Sequence, residues 1–299
     1  MKMKKAELKK ELDEMLTELF GELKKQMKKN LKGITLTGSY ALGKFSPSRP
    51  DINFFLFLGP NPPAETYLAL GKVFTWLIER YDGKFAIRSE FRPFKFPYPI
   101  SQRGLEVFIN PLLADLAERE TDPPFGISVP VLHGMSAVRK VIFGPDFLKE
   151  INLSFGKDTV IRSALRDLAI FKLQLIRAPS TYNLNRDFRL LFNESLVCGK
   201  GTIGWGVEVA SSDKELKSGT HLKYIKDRRK AIDFYKEHYD KRTAKSVEII
   251  LEARDKYDSW KKDKNKAFLV FTESYNLLNA VWGKLMSQWG ISNLKEKNG

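Results

Sequence analysis

The sequence predicts a chain whose first half mixes strands with helices, in an α/β or α+β arrangement, and whose second half is helical. Three observations predict this. Apolar residues recur at helical spacing over residues 4–32, short apolar runs bounded by glycine and proline surround one helical stretch over 33–150, and helical spacing dominates from residue 157 onward. The 299 residues fit two domains better than one, although a single domain with a long helical extension is the alternative.

The first predicted element is an amphipathic helix from Lys4 to Lys32 that ends at Gly33. Its apolar face is built from residues three and four apart, namely Leu8, Leu12, Met15, Leu16, Leu19, Phe20, Leu23, Met27 and Leu31. We expect this segment, residues 1–32, to pack on the domain that follows. The lysine pairs on its other face are typical of a solvated surface, and a nucleic-acid contact is the less favoured interpretation.

The next domain is predicted to span residues 33–150 and the helical domain residues 151–299. In the first of them we predict strands at 34–37, 51–58, 84–90, 105–109, 128–132 and 138–143, with a helix over 64–81. The helices predicted for the second domain span 159–177, 188–198, 222–239, 243–261 and 266–288.

Composition narrows the classes of function. The 51 Lys and Arg residues exceed the 36 Asp and Glu residues by a net charge of +15, which favours an anionic partner or serves solubility. A single cysteine, Cys198, excludes an intramolecular disulfide and is expected to be a buried, inert thiol. The three histidines are scattered and predict no zinc site. Neither a leader peptide nor a membrane span is indicated, so we expect a reducing, cytoplasmic setting and no membrane partner.

The pattern that indicates chemistry joins the first two predicted strands. Gly38-Ser39 follows the first strand directly, and Asp51-Ile52-Asn53 opens the second. Because side chains at i and i+2 leave a strand on the same face, the oxygens of Asp51 and Asn53 can converge on one cation. A Gly-Ser turn before a helix offers backbone N–H groups and a hydroxyl, which suit a phosphate.

At these residues the chain resembles the DNA polymerase β-like nucleotidyltransferase superfamily. The signature of that superfamily is a hydrophobic residue with Gly-Gly or Gly-Ser, a spacer of about nine to thirteen residues, and Asp-hydrophobic-Asp/Glu-hydrophobic. It is matched here by Thr37-Gly38-Ser39 and Asp51-Ile52-Asn53-Phe54, and residues 36–51 look most like the small-molecule branch, which includes the antibiotic adenylyltransferases. The resemblance covers residues 33–110 in detail and the rest in architecture only. It implies an α+β chain, with a mixed-sheet nucleotidyltransferase domain followed by an all-α domain.

The resemblance also implies an activity, the transfer of a nucleoside monophosphate from a nucleoside triphosphate to an acceptor. The triphosphate is expected to be ATP, and two Mg²⁺ or Mn²⁺ ions are expected to bridge carboxylates and phosphates. Gly38 and Ser39 map to the phosphate-holding turn. Lys44 and Arg49, in the loop that follows, either contact the phosphates or are ordinary solvated charges.

The metal ligands carried over from the family are Asp51, Asn53 and Glu106, of which Asp51 and Glu106 are the expected catalytic carboxylates. Glu106 is the only acidic residue within a convincing later strand, and the alternative for it is a solvent-facing position. Asn53 departs from the family, which has a carboxylate there. The site would therefore hold two carboxylates where three would offset two divalent ions.

Two functions remain open on the sequence alone. One is an enzyme that transfers a nucleotide to an acceptor, and the other is a catalytically weakened or inactive module that binds a nucleotide, RNA or a protein partner. Residues 33–150 carry a net charge of only +1, so a small-molecule acceptor is favoured over RNA. The segment 88–103, which interleaves basic and aromatic residues, either stacks a base or ring or packs on the core.

Overall fold

The computed structural model describes residues 5–48, 50–89, 106–116, 128–150, 154–185 and 187–289, with side chains except at positions 88–89, 106 and 181–185. The chain divides into two compact units, Met1–Leu153 and Ser154–Gly299. The first unit contains a mixed sheet and the second is helical throughout its described regular structure, so the predicted α+β class is confirmed.

The first unit is built around one sheet. Its described helices are α1 (Lys5–Met27), α2 (Gly38–Ala41), α3 (Ala64–Arg80), α4 (Val129–Ser136) and α5 (Phe147–Glu150), and a 3₁₀ turn spans Lys28–Asn30. Its described strands are β1 (Leu31–Thr37), β2 (Asp51–Leu58), β3 (Ala86–Ser89), β4 (Glu106–Asp115) and β5 (Arg139–Phe143). These strands lie in the order β3-β4-β2-β1-β5. Strand β1 is antiparallel to β2 and β5, whereas β4 is parallel to β2 and β3.

The two faces of the sheet pack into two separate apolar layers, because successive side chains of a strand point to opposite faces. From β2, Ile52, Phe54, Leu56 and Leu58 enter the layer formed with α1 and α3, while Phe55 and Phe57 enter the layer that also contains residues of α4 and α5. Helix α1 packs through its predicted apolar face, and its Phe20 ring meets Phe54 edge-on at a centroid distance of 5.3 Å. Residues 51 and 53 share the face of Phe55 and Phe57.

Several elements in this unit differ from the sequence prediction, among them β4, which continues to Asp115 where the sequence predicts a strand over 105–109. Helix α1 ends at Met27 and not at Lys32, because Lys28 adopts a positive φ of 48° and Leu31 already enters β1. The strand predicted at 128–132 is wrong, since Val129–Ser136 forms helix α4. Pro130 lies in the first turn of α4, where a missing N–H removes no helical hydrogen bond.

The second unit is a set of helices packed around α7. Its described helices are α6 (Lys157–Asn185), α7 (Phe188–Ala210), α8 (Asp213–Ser218), α9 (Leu222–Lys226), α10 (Arg228–His238), α11 (Lys241–Asp255), α12 (Tyr257–Trp260) and α13 (Lys264–Gln288). Helix α7 contacts α6, α10, α11 and α13. The single helix predicted over 222–239 is divided in two, because the Asp227 side chain caps α10 by accepting a hydrogen bond of 3.0 Å from Lys230 N.

Cys198 lies in the interior of this unit, as predicted. Its side chain is fully buried, and its Sγ donates to Gln174 Oε1 at 3.2 Å. Burial raises the pKa of the Cys198 thiol well above its ordinary value, which keeps it protonated and unreactive. None of the helices in the described part of the chain is both long enough and apolar enough to cross a membrane.

Candidate functional site

The topology brings the Gly38 turn and the start of β2 to the same edge of the sheet. Since β1 and β2 are antiparallel, the end of β1 lies beside the beginning of β2, and Thr37 pairs with Asn53. Strand β4 flanks β2 on its other side in parallel, with Asn53 level with Asn110. Thr37, Asn53 and Asn110 therefore form one row across three neighbouring strands.

A polar cluster occupies this edge. The amide Nδ2 of Asn110 donates to Asp51 Oδ1 at 2.7 Å and to Asn53 Oδ1 at 3.1 Å. All three side chains are half-buried. They lie on the face that Phe55 and Phe57 fill further along β2, so the same strand face is polar at its beginning and apolar where α4 and α5 cover it.

Gly38 brings its backbone close to this cluster. Its φ of +75° is in the left-handed region, which glycine adopts without the steric cost that other residues incur. A Cβ at this position would lie 3.5 Å from Asn53 Nδ2. The Asn53 amide thus lies between its neighbours, with its oxygen toward Asn110 and its NH₂ group toward the turn.

Buried contacts hold the turn in place on both sides. The Thr37 hydroxyl lies 2.6 Å from Met135 O and 2.8 Å from Val138 O and donates to this pair of carbonyls. The Tyr40 hydroxyl donates to Asp13 Oδ1 at 2.8 Å. Burial, followed by the contact with Asp13, raises the pKa of Tyr40 well above its ordinary value, so this side chain stays a neutral anchor. The backbone around Gly38 is consequently fixed by the core.

The other predicted site residues are placed as follows. Ser39 is half-buried in the first turn of α2, and its carbonyl accepts from Lys44 N at 2.9 Å. The Lys44 side chain is exposed in the same loop. Arg49 and residues 90–103 of the basic and aromatic segment lie outside the described residues. Glu106 is the first residue of β4, where its backbone pairs with Ala86, but its side chain is not described and its catalytic and metal roles stay predictions.

Two residues at this edge escaped the sequence analysis. Asn110 could have been noticed as an amide inside the apolar strand that follows Glu106, at an even spacing from it. Arg139, the first residue of β5, pairs with Thr37 in the row described above. Its guanidinium Nε lies 3.0 and 2.9 Å from the two carboxylate oxygens of Asp146, and its Nη1 donates to Ser136 O at 2.8 Å. Only the strand order reveals that Arg139 belongs to this edge.

The cluster fits a single divalent cation better than a pair. The Oδ1 atoms of Asp51 and Asn53 converge on the position of the Asn110 amide nitrogen, and oxygens are the ligands that Mg²⁺ prefers. A half-turn of the Asn110 amide would replace its NH₂ group with a third oxygen. Asp51 is the only carboxylate among these three side chains, so they do not match the charge of two cations. A single cation fits the charge of these side chains, and the oxygens of Asp51, Asn53 and Asn110 could serve as its protein ligands.

Comparison of the chain with protein-family models, curated proteins and solved structures gives no match. What can be inferred about function comes from the arrangement of Gly38, Asp51, Asn53 and Asn110.

Proposed function

We propose that the first unit is a nucleotidyltransferase-like module that binds a nucleoside triphosphate, with ATP as the expected nucleotide, together with one Mg²⁺ or Mn²⁺ ion. Transfer of the nucleoside monophosphate is slow or absent. The observation that carries this proposal is the hydrogen bonding of Asn110 to both Asp51 and Asn53, which makes the centre of the site an amide and not a carboxylate.

The phosphate end of the nucleotide belongs at the Gly38 turn. Gly38 has no side chain to exclude a phosphate, and the neighbouring amide group of Asn53 faces it. An NH₂ group donates hydrogen bonds to phosphate oxygens, whereas a carboxylate in the same place would repel them. The NH₂ group of Asn53 would thus contact the phosphates directly, while its oxygen would remain available to the metal ion.

Asparagine at position 53, where the family has a carboxylate, would also weaken catalysis. Transfer through two cations needs one ion at the attacking oxygen and one at the leaving pyrophosphate. With a single carboxylate in the described cluster, the ion that accompanies the triphosphate is held but a separate second ion is poorly held. Mn²⁺ should support any turnover better than Mg²⁺, because Mg²⁺ demands near-ideal geometry and gives up water reluctantly.

Full transfer to a small-molecule acceptor is the second candidate. One observation favours it, namely that Glu106 and Asp51 begin parallel strands at the same edge of the sheet. A Glu106 side chain that reached the cluster would supply another carboxylate. A cytoplasmic location, where ATP and Mg²⁺ are both abundant, is part of either proposal.

The test is the thermal stability of the whole protein with ATP, GTP, CTP or UTP in the presence of Mg²⁺, Mn²⁺ or EDTA. A ligand at 100 times its dissociation constant stabilises the native state by about 2.7 kcal/mol, which is a measurable shift in melting temperature. We expect ATP with a divalent ion to raise the melting temperature of the wild type. Asp51→Ala should remove the metal-dependent part of that shift.

The matched control is Glu65→Ala, which removes one exposed carboxylate at the start of α3. Glu65 follows the far end of β2, about 20 Å along the strand from Asp51. This variant should keep the full shift. If no triphosphate stabilises the wild type with either metal, or if Glu65→Ala and Asp51→Ala lose the shift equally, the proposed site is wrong. Brisk pyrophosphate release with Mg²⁺ and an acceptor would favour the second candidate.

A further inference from the structure

The second unit carries an exposed cluster of cations where α9 meets α10. Within residues 222–230, which read Leu-Lys-Tyr-Ile-Lys-Asp-Arg-Arg-Lys, the exposed side chains Lys223, Lys226, Arg229 and Lys230 form what we name the α9–α10 basic corner. Neighbouring cations repel one another, and an anionic ligand bound among them would relieve that repulsion.

The nearby carboxylates offset the charge of the corner only in part, since Asp227 lies within it and Lys223 interacts with Glu215 at a distance longer than an ion pair. Asp227 accepts from the backbone N–H of Lys230 as the cap of α10, and Asp255 forms an ion pair with Arg228, which is why Arg228 is left out of the corner. Asp233, further along α10, pairs with Lys236 at 3.5 Å. In the part of the chain that the structure describes, none of the four corner cations forms an ion pair with a carboxylate.

The corner is a fixed structure and not a loose tail. The Tyr224 ring packs on Phe234 at a centroid distance of 4.7 Å, which joins α9 to α10. The buried His221 ring, just before α9, lies 3.1 Å from Glu215 O through Nδ1. Lys223 Nζ lies over the Tyr224 ring, 4.6 Å from its centroid. The backbone that carries the four cations is consequently held in place by packing.

The composition of the corner points to a phosphate backbone. Its one aromatic ring, Tyr224, is used in packing, so it offers no free platform on which a base could stack. Within residues 222–230 the exposed apolar side chain is Ile225, whereas a membrane-binding surface would need a broad apolar face. Four cations without base-reading or lipid-inserting partners suit evenly spaced phosphates. The net charge of +15 on the whole chain would attract a long polyanion from a distance.

We propose that the α9–α10 basic corner binds the sugar-phosphate backbone of a nucleic-acid strand without reading its sequence. This inference concerns the second unit and does not depend on the nucleotide site proposed for the first. The two can fail separately, since one is measured with a triphosphate and a metal and the other with an oligonucleotide in EDTA.

The test compares the wild type with the triple variant Lys226→Glu, Arg229→Glu and Lys230→Glu. The probe is a fluorescein-labelled oligouridine of 20 nucleotides. Its binding is followed by fluorescence anisotropy across a series of salt concentrations. For single strands the slope of log K against log salt is about −0.7 for each phosphate contact, so four contacts predict a slope of about −3. Losing three of the four contacts should change the slope from about −3 to about −1, and it should lower the affinity at 0.1 M salt by roughly 100-fold.

The substitutions are chosen so that the fold survives. Residues 229 and 230 lie in the first turn of α10, where an acidic side chain is favourable toward the helix dipole. A matched control carries the same change in net charge on exposed lysines of the first unit, as Lys10→Glu, Lys29→Glu and Lys72→Glu. Circular dichroism and the melting temperature should be unchanged in both variants.

We expect the control to lose far less affinity than the corner variant, and oligoadenosine to bind as oligouridine does. Equal losses in the two variants would overturn the proposal, because binding would then follow total charge. Absence of wild-type binding at 50 mM salt would also overturn it. So would strong binding to phosphatidylserine vesicles that the corner variant abolishes while oligonucleotide binding persists, since the partner would then be a membrane.

Discussion

Replacing Gly206 by alanine should destabilise the second unit, because helix α7 approaches Tyr235 of α10 too closely for any side chain. A Cβ at residue 206 would lie 1.8 Å from Tyr235 Oη, 2.7 Å from Tyr235 Cζ and 2.9 Å from Val281 Cγ2. Tyr235 cannot simply move aside. It is fully buried, its hydroxyl donates to Ile203 O at 2.9 Å, and its ring stacks on Tyr239 at 4.8 Å.

Three contributions determine the expected loss in the free energy of unfolding. Forcing an extra carbon into a filled interior costs about 1–3 kcal/mol. Breaking the buried hydrogen bond of Tyr235 costs about 1–3 kcal/mol more. Replacing a helical glycine by alanine returns about 1 kcal/mol of helix propensity. The net expectation for Gly206→Ala is a loss of about 3 kcal/mol in the free energy of unfolding, which lowers the melting temperature by roughly 10 °C for a unit of this size.

Gly204 provides the control in the same helix, because a Cβ there meets no atom within 4 Å. Gly204→Ala should therefore stabilise the unit by about 0.5–1 kcal/mol. Denaturant unfolding followed by tryptophan fluorescence suits the measurement, since four of the five tryptophans lie in the second unit, namely Trp205, Trp260, Trp282 and Trp289.

A double-mutant cycle identifies the cause. Tyr235→Phe removes the closest atom, so it should cost less in the Gly206→Ala background than in the wild type. Unfolding of Gly206→Ala at the wild-type denaturant concentration would contradict the expected clash with Tyr235, and so would an equally strong destabilisation by Gly204→Ala.

Three further predictions concern the site and the interior. Gly38→Val should abolish triphosphate binding in calorimetry, because a branched side chain would fill the space beside Asn53 Nδ2 and strain a backbone with φ of +75°; undiminished affinity would exclude the turn. Asn53→Asp adds a carboxylate beside Asp51 at almost constant volume, so it should tighten binding of Mg²⁺ itself but weaken triphosphate binding in EDTA, because the NH₂ donor that faces the turn is replaced by a negative oxygen; a normally folded variant that shows neither change would contradict the role given to residue 53. Burial, with a smaller contribution from Asp167, raises the pKa of Glu208 from its ordinary value of 4.5 to about 8. The folded state then holds the proton more tightly than the unfolded state, so the free energy of unfolding should fall as pH rises from about 4.5 to about 8, by up to a few kcal/mol. Glu208→Gln should flatten this fall in denaturation measured at several pH values, and an unchanged profile would assign the dependence to other groups.

The sequence predicted the strongly patterned elements well. Strand β2 has the predicted bounds, 51–58, because eight residues of strand character are closed by a glycine and three prolines over residues 59–63. The local sequence pattern predicted the wrong element where the residue types suit both a strand and the first turn of a helix. Val129-Pro-Val-Leu is rich in β-branched residues, yet its proline suits a helical first turn, and only the packing of Leu132 under the sheet decides for the helix.

The sequence predicts the part of the candidate site whose residues lie close together in the chain. The Gly38 turn and the Asp51 and Asn53 pair lie within sixteen residues of one another, so spacing and strand alternation were enough to associate them. Asn110 and Arg139 come from strands that are distant in sequence. Their membership follows from the order β4-β2-β1-β5 and from the register of each pair, neither of which a single sequence reveals.

The position of Asn110 also bears on which ligand the cluster would favour. Half-buried oxygens need donors, and here one NH₂ group satisfies an oxygen of Asp51 and an oxygen of Asn53 at once. A cation that took this place would have to break both hydrogen bonds and turn the Asn110 amide. A phosphate at the Gly38 turn would break neither, since it would meet the Asn53 NH₂ group that faces the turn. If the proposed function holds, the divalent ion should therefore enter together with the nucleotide, because a phosphate at the turn would keep the two hydrogen bonds that a free metal ion would break.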